Sequence, residues 1–103
     1  MARTKTHELW LTVELPPHKV AVILTNSVPD DKDGEWDSER YEVTVSPANA
    51  TTKIEQTIVH ELIHAIAEVC SVPCLQDEDA VRSLEYPLYT FLKFNTNFFG
   101  SQK

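Results

Sequence analysis

The stretch Thr57-Ile58-Val59-His60-Glu61-Leu62-Ile63-His64-Ala65-Ile66 sets two histidines four residues apart inside an apolar run. Four residues make about one α-helical turn, so both imidazoles leave such a helix on one side, where a single Zn²⁺ with bonds of about 2.0–2.1 Å can accept them. Glu61 then lies beside the ion rather than on it, the position of a base that takes a proton from an activated water. The same five letters arise by chance on exposed polar helices. Here Val59, Leu62, Ile63, Ile66, Val69 and Cys70 recur at i, i+3, i+4, i+7, i+10 and i+11, the stripe of a helix that packs on a core. A helix anchored by packing holds its side chains rigidly, as a metal site requires.

Outward from this helix, the pattern changes to strands. Leu9, Leu11, Val13 and Leu15 alternate with Trp10, Thr12 and Glu14, the period of a strand with one buried face. Pro16-Pro17 turns the chain, and Val20-Ala21-Val22-Ile23-Leu24 is short and β-branched enough to predict a central strand. Arg40 to Val45 alternates again and gives a third strand. The intervening Ser27 to Glu39, rich in Asp and Glu with one glycine and Trp36, reads as a solvated loop. Asp31-Lys32-Asp33-Gly34 has part of a calcium-loop spacing, but Pro29 and Arg40 occupy the first and twelfth places and cannot serve as ligands.

Thr52 and Glu55 have capping-box spacing for the start of the histidine helix, which should run to about Cys70. Ser71-Val72-Pro73 breaks it. Asp77 is a fitting N-cap for a second helix, with Glu78 and Asp79 at the positive end of its dipole and Val81, Leu84, Leu88, Phe91 and Leu92 as its apolar stripe. The expected fold class is therefore α+β: a small sheet of about three strands packed against the histidine helix and a second, antiparallel helix.

A hydrolytic zinc needs three protein ligands and one open position. The histidines lie about six to nine residues before the end of the first helix, roughly 9–13 Å at 1.5 Å per residue. An equal distance into an antiparallel second helix reaches Glu85, which falls beside Leu88 and Leu92 on the edge of the apolar stripe. A carboxylate there without a partner would be costly, which favours Glu85 as third ligand. Glu78, seven residues earlier on nearly the same face, is the alternate, although the dipole already accounts for a glutamate in a first turn. Glu68 shares the histidine face but lies about 12 Å along the axis from His60, suited to orienting His64 rather than binding the ion. His7 and His18 have no partner spacing and read as surface residues.

The chain of 103 residues is long enough for one small domain, spanning 1–103, and its net charge of −7 argues against a nucleic-acid backbone as a direct partner. No apolar run approaches the ~20 residues of a membrane span, and Met-Ala-Arg-Thr-Lys-Thr lacks the apolar stretch of a signal peptide, so a cytoplasmic protein without membrane contact is expected. Cys70 and Cys74 are too few for a disulfide scaffold and fit reduced thiols. Nothing in the sequence sets an oligomeric state.

His60-Glu61-Leu62-Ile63-His64-Ala65-Ile66, followed after a short connection by Ala80-Val81-Arg82-Ser83-Leu84-Glu85, resembles the gluzincin clan of zinc peptidases. It is most similar to compact minigluzincin-type and phage- or prophage-encoded small metallopeptidases, over about residues 41–95. The resemblance implies a zincin-like fold, His60 and His64 as zinc ligands, Glu61 as general base and a glutamate of the second helix as third ligand, with Glu85 and Glu78 both open. It also implies a peptide or protein substrate. An extended substrate would pair with an exposed edge strand, expected at Arg40 to Val45. Two competing expectations come from other classes: a non-catalytic acidic host-takeover or anti-restriction protein that keeps the zinc site and binds through the acids between Asp30 and Glu39, and a structural zinc protein whose tail fills the fourth position.

Overall fold

Alternation alone would bury Leu9, Leu11, Val13 and Leu15 together, but the chain departs from it at the first of the two tryptophan-flanking leucines. The computed structural model describes residues 7–29 and 31–100. In it β1 (His7–Leu15) pairs antiparallel with β2 (His18–Thr25) across the two-residue connection Pro16-Pro17, and the register slips between Leu9 and Leu11. Trp10 is the extra residue of this bulge. One inserted residue moves the side chains on one side of it to the opposite face, so Leu9 is 61% exposed whereas Trp10 packs against the core.

The sheet has four strands, not three, in the order β1-β2-β4-β3. Gly34–Asp37, expected within a loop, forms β3 and pairs antiparallel with β4 (Glu42–Val45), which in turn runs parallel to β2. The expected edge strand is therefore an interior one, and β3 takes the edge. Strand propensity in Gly34-Glu35-Trp36-Asp37 is low, and pairing with β4 overrides it. Gly34 is required here by close approach: a Cβ would lie 2.8 Å from the Thr44 carbonyl oxygen and 2.9 Å from Thr57 Cγ2. The third strand starts later than Arg40 because Asp37 accepts hydrogen bonds from the Glu39 and Arg40 amides and turns the chain. Tyr41 follows with φ 54° and stacks on His18, with ring centroids 4.1 Å apart.

One face of the sheet is covered by α1 (Thr51–Val69), and α2 (Glu78–Asn95) packs against α1. Val20, Val22, Val43 and Val45 meet Ile54, Ile58, Val59, Leu62 and Ile63 in a continuous core, each such side chain contributing about 1.5–3 kcal/mol by burial. The stripe of α2 is narrower than its sequence suggests. Val81, Leu88 and Leu92 turn inward, whereas Phe91 is 57% exposed.

Asp77 caps α2 as expected, accepting from the Ala80 amide. The capping box at Thr52 and Glu55 does not form: Ala50 is the N-cap of α1 and gives no side-chain bond. Glu55 is instead drawn into the core, where Tyr89 Oη donates to its Oε1 at 2.9 Å and Lys93 Nζ donates to both oxygens at 2.9 and 3.1 Å. This buried pair ties α1 to the far end of α2. Phe99 packs on Tyr89, with Lys93 over its ring, so the chain as far as Gly100 rests beside Glu55 rather than on the histidines. The tail beyond it, Ser101 to Lys103, lies outside the described residues, as do Asp30 and the first six residues.

α1 ends in paired carbonyl-capping bonds, Val72 N–H to Ala67 O at 2.9 Å and Ser71 N–H to Glu68 O at 3.4 Å, with Ser71 in the left-handed region at φ 54°. Glycine is the usual residue at this place because a Cβ is strained there. Ser71→Gly should raise the unfolding free energy by about 0.5–1 kcal/mol. Lys93→Ala should lower it by about 3 kcal/mol, because the fully buried Glu55 carboxylate loses its counter-ion. Both are read from urea unfolding, and a neutral Lys93→Ala would show that Tyr89 alone satisfies Glu55.

Burial pushes the Tyr89 phenol up to about 12, with the hydrogen bond to Glu55 and the carboxylate's charge adding to it. Its folded value lies above the ordinary one of 10.0, so the stability it contributes is complete below that pH and is lost as pH rises to about 12. Tyr89→Phe should flatten the alkaline fall in stability over that window.

Candidate metal centre

The periodicity that buries Ile58, Val59, Leu62 and Ile63 leaves His60, Glu61 and His64 at the rim of the helix–sheet interface, half-buried. The two imidazoles stand edge to face with centroids 5.0 Å apart. Opposite them is Glu78. Its Oε2 lies 3.1 Å from His60 Nε2 and its Oε1 lies 3.1 Å from His64 Nε2, so one carboxylate spans both rings. Arg82, one turn further along α2, brings its Nε to 3.4 Å from the same carboxylate.

Glu85 occupies a different place. Its Oε1 accepts from His60 Nδ1 at 2.8 Å, on the outer side of the ring. A chain that left α1 and returned only within α2 would bring Glu85 level with both histidines. In fact the return begins earlier. The 3₁₀ turn Pro73–Gln76 folds back on α1, with Gln76 Nε2 donating to the Ala67 carbonyl at 3.1 Å. The first turn of α2 therefore already faces His64 and His60, and Glu85 lies one to two turns beyond. The spacing of Glu78 and Glu85 on one face was legible; which of them stood level with the histidines depended on the shape of this connection.

Both ring nitrogens of His60 thus face carboxylate oxygens, which only accept. A neutral imidazole donates through one nitrogen, so with Nδ1–H directed at Glu85 the Nε2 lone pair and the Glu78 carboxylate face each other across a space that either a second ring proton or a metal ion would fill. Donor atoms of His60, His64 and Glu78 lie within 4.8 Å of one another. Zinc bonds of about 2.0–2.1 Å in a tetrahedron separate neighbouring ligand atoms by roughly 3.3 Å, close to the 3.1 Å separations here, and two imidazoles with one carboxylate are a donor set zinc accepts.

Glu61 is beside this group without joining it. Burial raises its pKa above the ordinary carboxylate value; His60 opposes the shift, while Glu78 and Glu35 reinforce it. Glu68 does not orient His64: its Oε1 accepts from Trp36 Nε1 at 3.0 Å and fixes the edge strand against α1. Among the acids expected to form a free binding surface, Asp33 accepts from Asn49 and pairs with Lys53 at 3.3 Å, and Glu35 pairs with Lys32 at 3.0 Å. Cys70 and Cys74 are free and exposed, and His7 is exposed, as the sequence suggested.

An open groove runs over His60, Glu61 and Glu78, with hollows of about 710 and 620 Å³ on its two sides. Trp36 and the edge strand form one wall and the start of α2 the other. Among the described residues no helix is long and apolar enough to cross a membrane. Comparison of the chain with protein-family models, curated proteins and solved structures gives no match.

The raised Glu61 pKa has a sign that can be checked in metal-free protein. Because its folded value exceeds its unfolded one, folding is favoured by protonated Glu61 below the unfolded pKa, and that contribution is lost as pH rises through the folded pKa. Glu61→Gln should therefore be more stable than wild type at pH 7 in chelator, with the gap closing toward pH 4. A wild type that is the more stable at pH 7 would show that the ionised carboxylate is welcome in its place.

Proposed function

We propose that the chain is a zinc-dependent peptidase in which His60, His64 and Glu78 hold the ion and Glu61 is the general base. The observation that carries this reading is the single Glu78 carboxylate spanning the Nε2 atoms of both histidines, with a half-buried, non-ligand Glu61 at its side. Bound there, zinc would polarise a peptide carbonyl and lower the pKa of a water in its open position toward ~7. Glu61 accepts the proton of the attacking water and returns it to the departing amine. Its semi-enclosed place keeps the proton close to the scissile bond, and its raised pKa eases the return.

Glu85 is assigned a positioning role. By accepting the Nδ1 proton of His60 it fixes the tautomer that presents the Nε2 lone pair to the ion and raises the basicity of the ring. Substrate positioning is assigned to β3, the edge strand beside the groove, instead of the interior Arg40 to Val45 segment. An extended peptide can add to it through main-chain hydrogen bonds. The acidic-mimic alternative has no observation behind it comparable to the Glu78 bridge.

The expected zinc content is one per chain. Glu78→Ala should remove binding at micromolar zinc, whereas Glu85→Gln should weaken it by about 10–100-fold. Metal content after dialysis reads both, and the reverse ranking would exchange the two roles. Glu61→Gln should keep its zinc and lose hydrolysis of a mixed peptide library. Wild-type zinc protein without turnover on that library would defeat the peptidase reading.

A further inference from the structure

The two hollows that flank the metal position share Lys32, Gly34, His60, Glu61 and Glu78, so they are two arms of one groove. It follows α1 from Lys53 to Glu68, fifteen residues or about 22 Å at 1.5 Å per residue. At about 3.3 Å per residue that length accommodates an extended peptide of roughly six or seven residues. The charges along it are segregated.

The chain carries six lysines and arginines among its described residues, and three of them, Lys32, Lys53 and Arg82, line one arm. Of the acids of that arm outside the metal group, Asp33 holds Lys53 and Asn49, Glu85 holds His60, and Glu61 is half-buried. Each cation keeps donors to spare. Lys53 and Lys32 are about half exposed in single surface pairs, and Arg82 meets Glu78 through Nε, the inner edge of a five-donor fork. Exposed pairs of this kind are weak and exchange readily for a better partner. The opposite arm is lined by Glu35, Asp37, Glu39 and Glu68, with Lys32, which is shared, its one lysine or arginine.

We infer that the groove selects peptides of segregated charge, with an acidic side chain or terminal carboxylate in the Lys53–Arg82 arm and basic residues in the Asp37–Glu39 arm. The inference rests on the peptidase reading for the identity of the guest. Its order in sequence comes from the edge strand. Gly34 lies against Thr57 and Glu61, and Trp36 reaches Glu68, so β3 runs in the same direction as α1. A guest pairing antiparallel, the more stable arrangement, enters at the Asp37 end and leaves at the Lys53 end. Its basic residues therefore precede the metal position and its acidic ones follow. Metal binding reinforces the selection, because Glu78 gives its charge to the ion and releases Arg82 to the guest.

The test is equilibrium binding, followed by Trp36 fluorescence, to zinc-loaded Glu61→Gln protein. Two end-blocked octapeptides of the same composition serve as probes, one with two lysines first and two glutamates last, the other reversed. The lysine-first peptide should bind about tenfold more tightly in low salt, and the gap should shrink in 0.5 M salt, roughly as two exposed charge contacts dictate. Lys53→Gln/Arg82→Gln, a pair of exposed positions whose zinc content is checked separately, should cut the difference to about threefold, the share left to the acidic arm. Equal affinity for the wild-type groove, a preference for the reverse order, no binding of either peptide, or a preference undiminished by the double substitution overturns the inference. Hydrolysis by wild type is scored apart from this: order-dependent binding without turnover defeats the peptidase reading and leaves the charge assignment standing, and turnover without order dependence does the opposite.

Discussion

Burial of one face of α1 against a narrow sheet is the constraint on which the rest of the molecule depends. Ile58 and Ile63 are fully enclosed and Val59 and Leu62 nearly so, and a helix that commits those positions has no rotational freedom left. His60, Glu61 and His64 are thereby held at the border between core and solvent. That border suits the chemistry proposed for them. It is enclosed enough to raise the Glu61 pKa and open enough to admit a peptide.

What α1 presents is completed by the way the chain returns. The left-handed Ser71 turns it, the 3₁₀ segment brings it back over Ala67, and α2 begins with Glu78 in front of the histidines. At the other end of the helix pair, Glu55, Tyr89 and Lys93 lock the same two helices through a buried ionic contact. The His60, His64 and Glu78 group is thus clamped from both sides along α1. The edge strand closes the third side through Trp36 and Glu68.

Several features were invisible in sequence for reasons that can be named. The bulge at Trp10 follows from pairing with β2, and no alternation in β1 signals it. β3 is hidden because charged residues and a glycine read as a loop until a partner strand supplies their hydrogen bonds. Glu55 has capping-box spacing from Thr52, yet Lys93, thirty-eight residues away, offers its carboxylate a stronger partner than a helix amide. Leu9, Leu84 and Phe91 fit their apolar stripes on paper and remain exposed. Local pattern states which face a residue shares, and packing states which faces are covered.

The amino-acid sequence by itself determined the histidine helix, its buried stripe, the pairing of His60 with His64, the place of Glu61 between them and the capped second helix that carries Glu78 and Glu85. All of these depend on periodicities of three to four residues, which the backbone enforces locally. Only the tertiary structure decided that Glu78 faces both imidazoles while Glu85 backs His60, that β3 and not the segment ending at Val45 is the edge, and that Lys32, Lys53 and Arg82 come together beside the histidines. Those are relations between separate elements of the chain. They are set by the turn geometry and side-chain packing that join the segments, quantities that no short window of sequence contains.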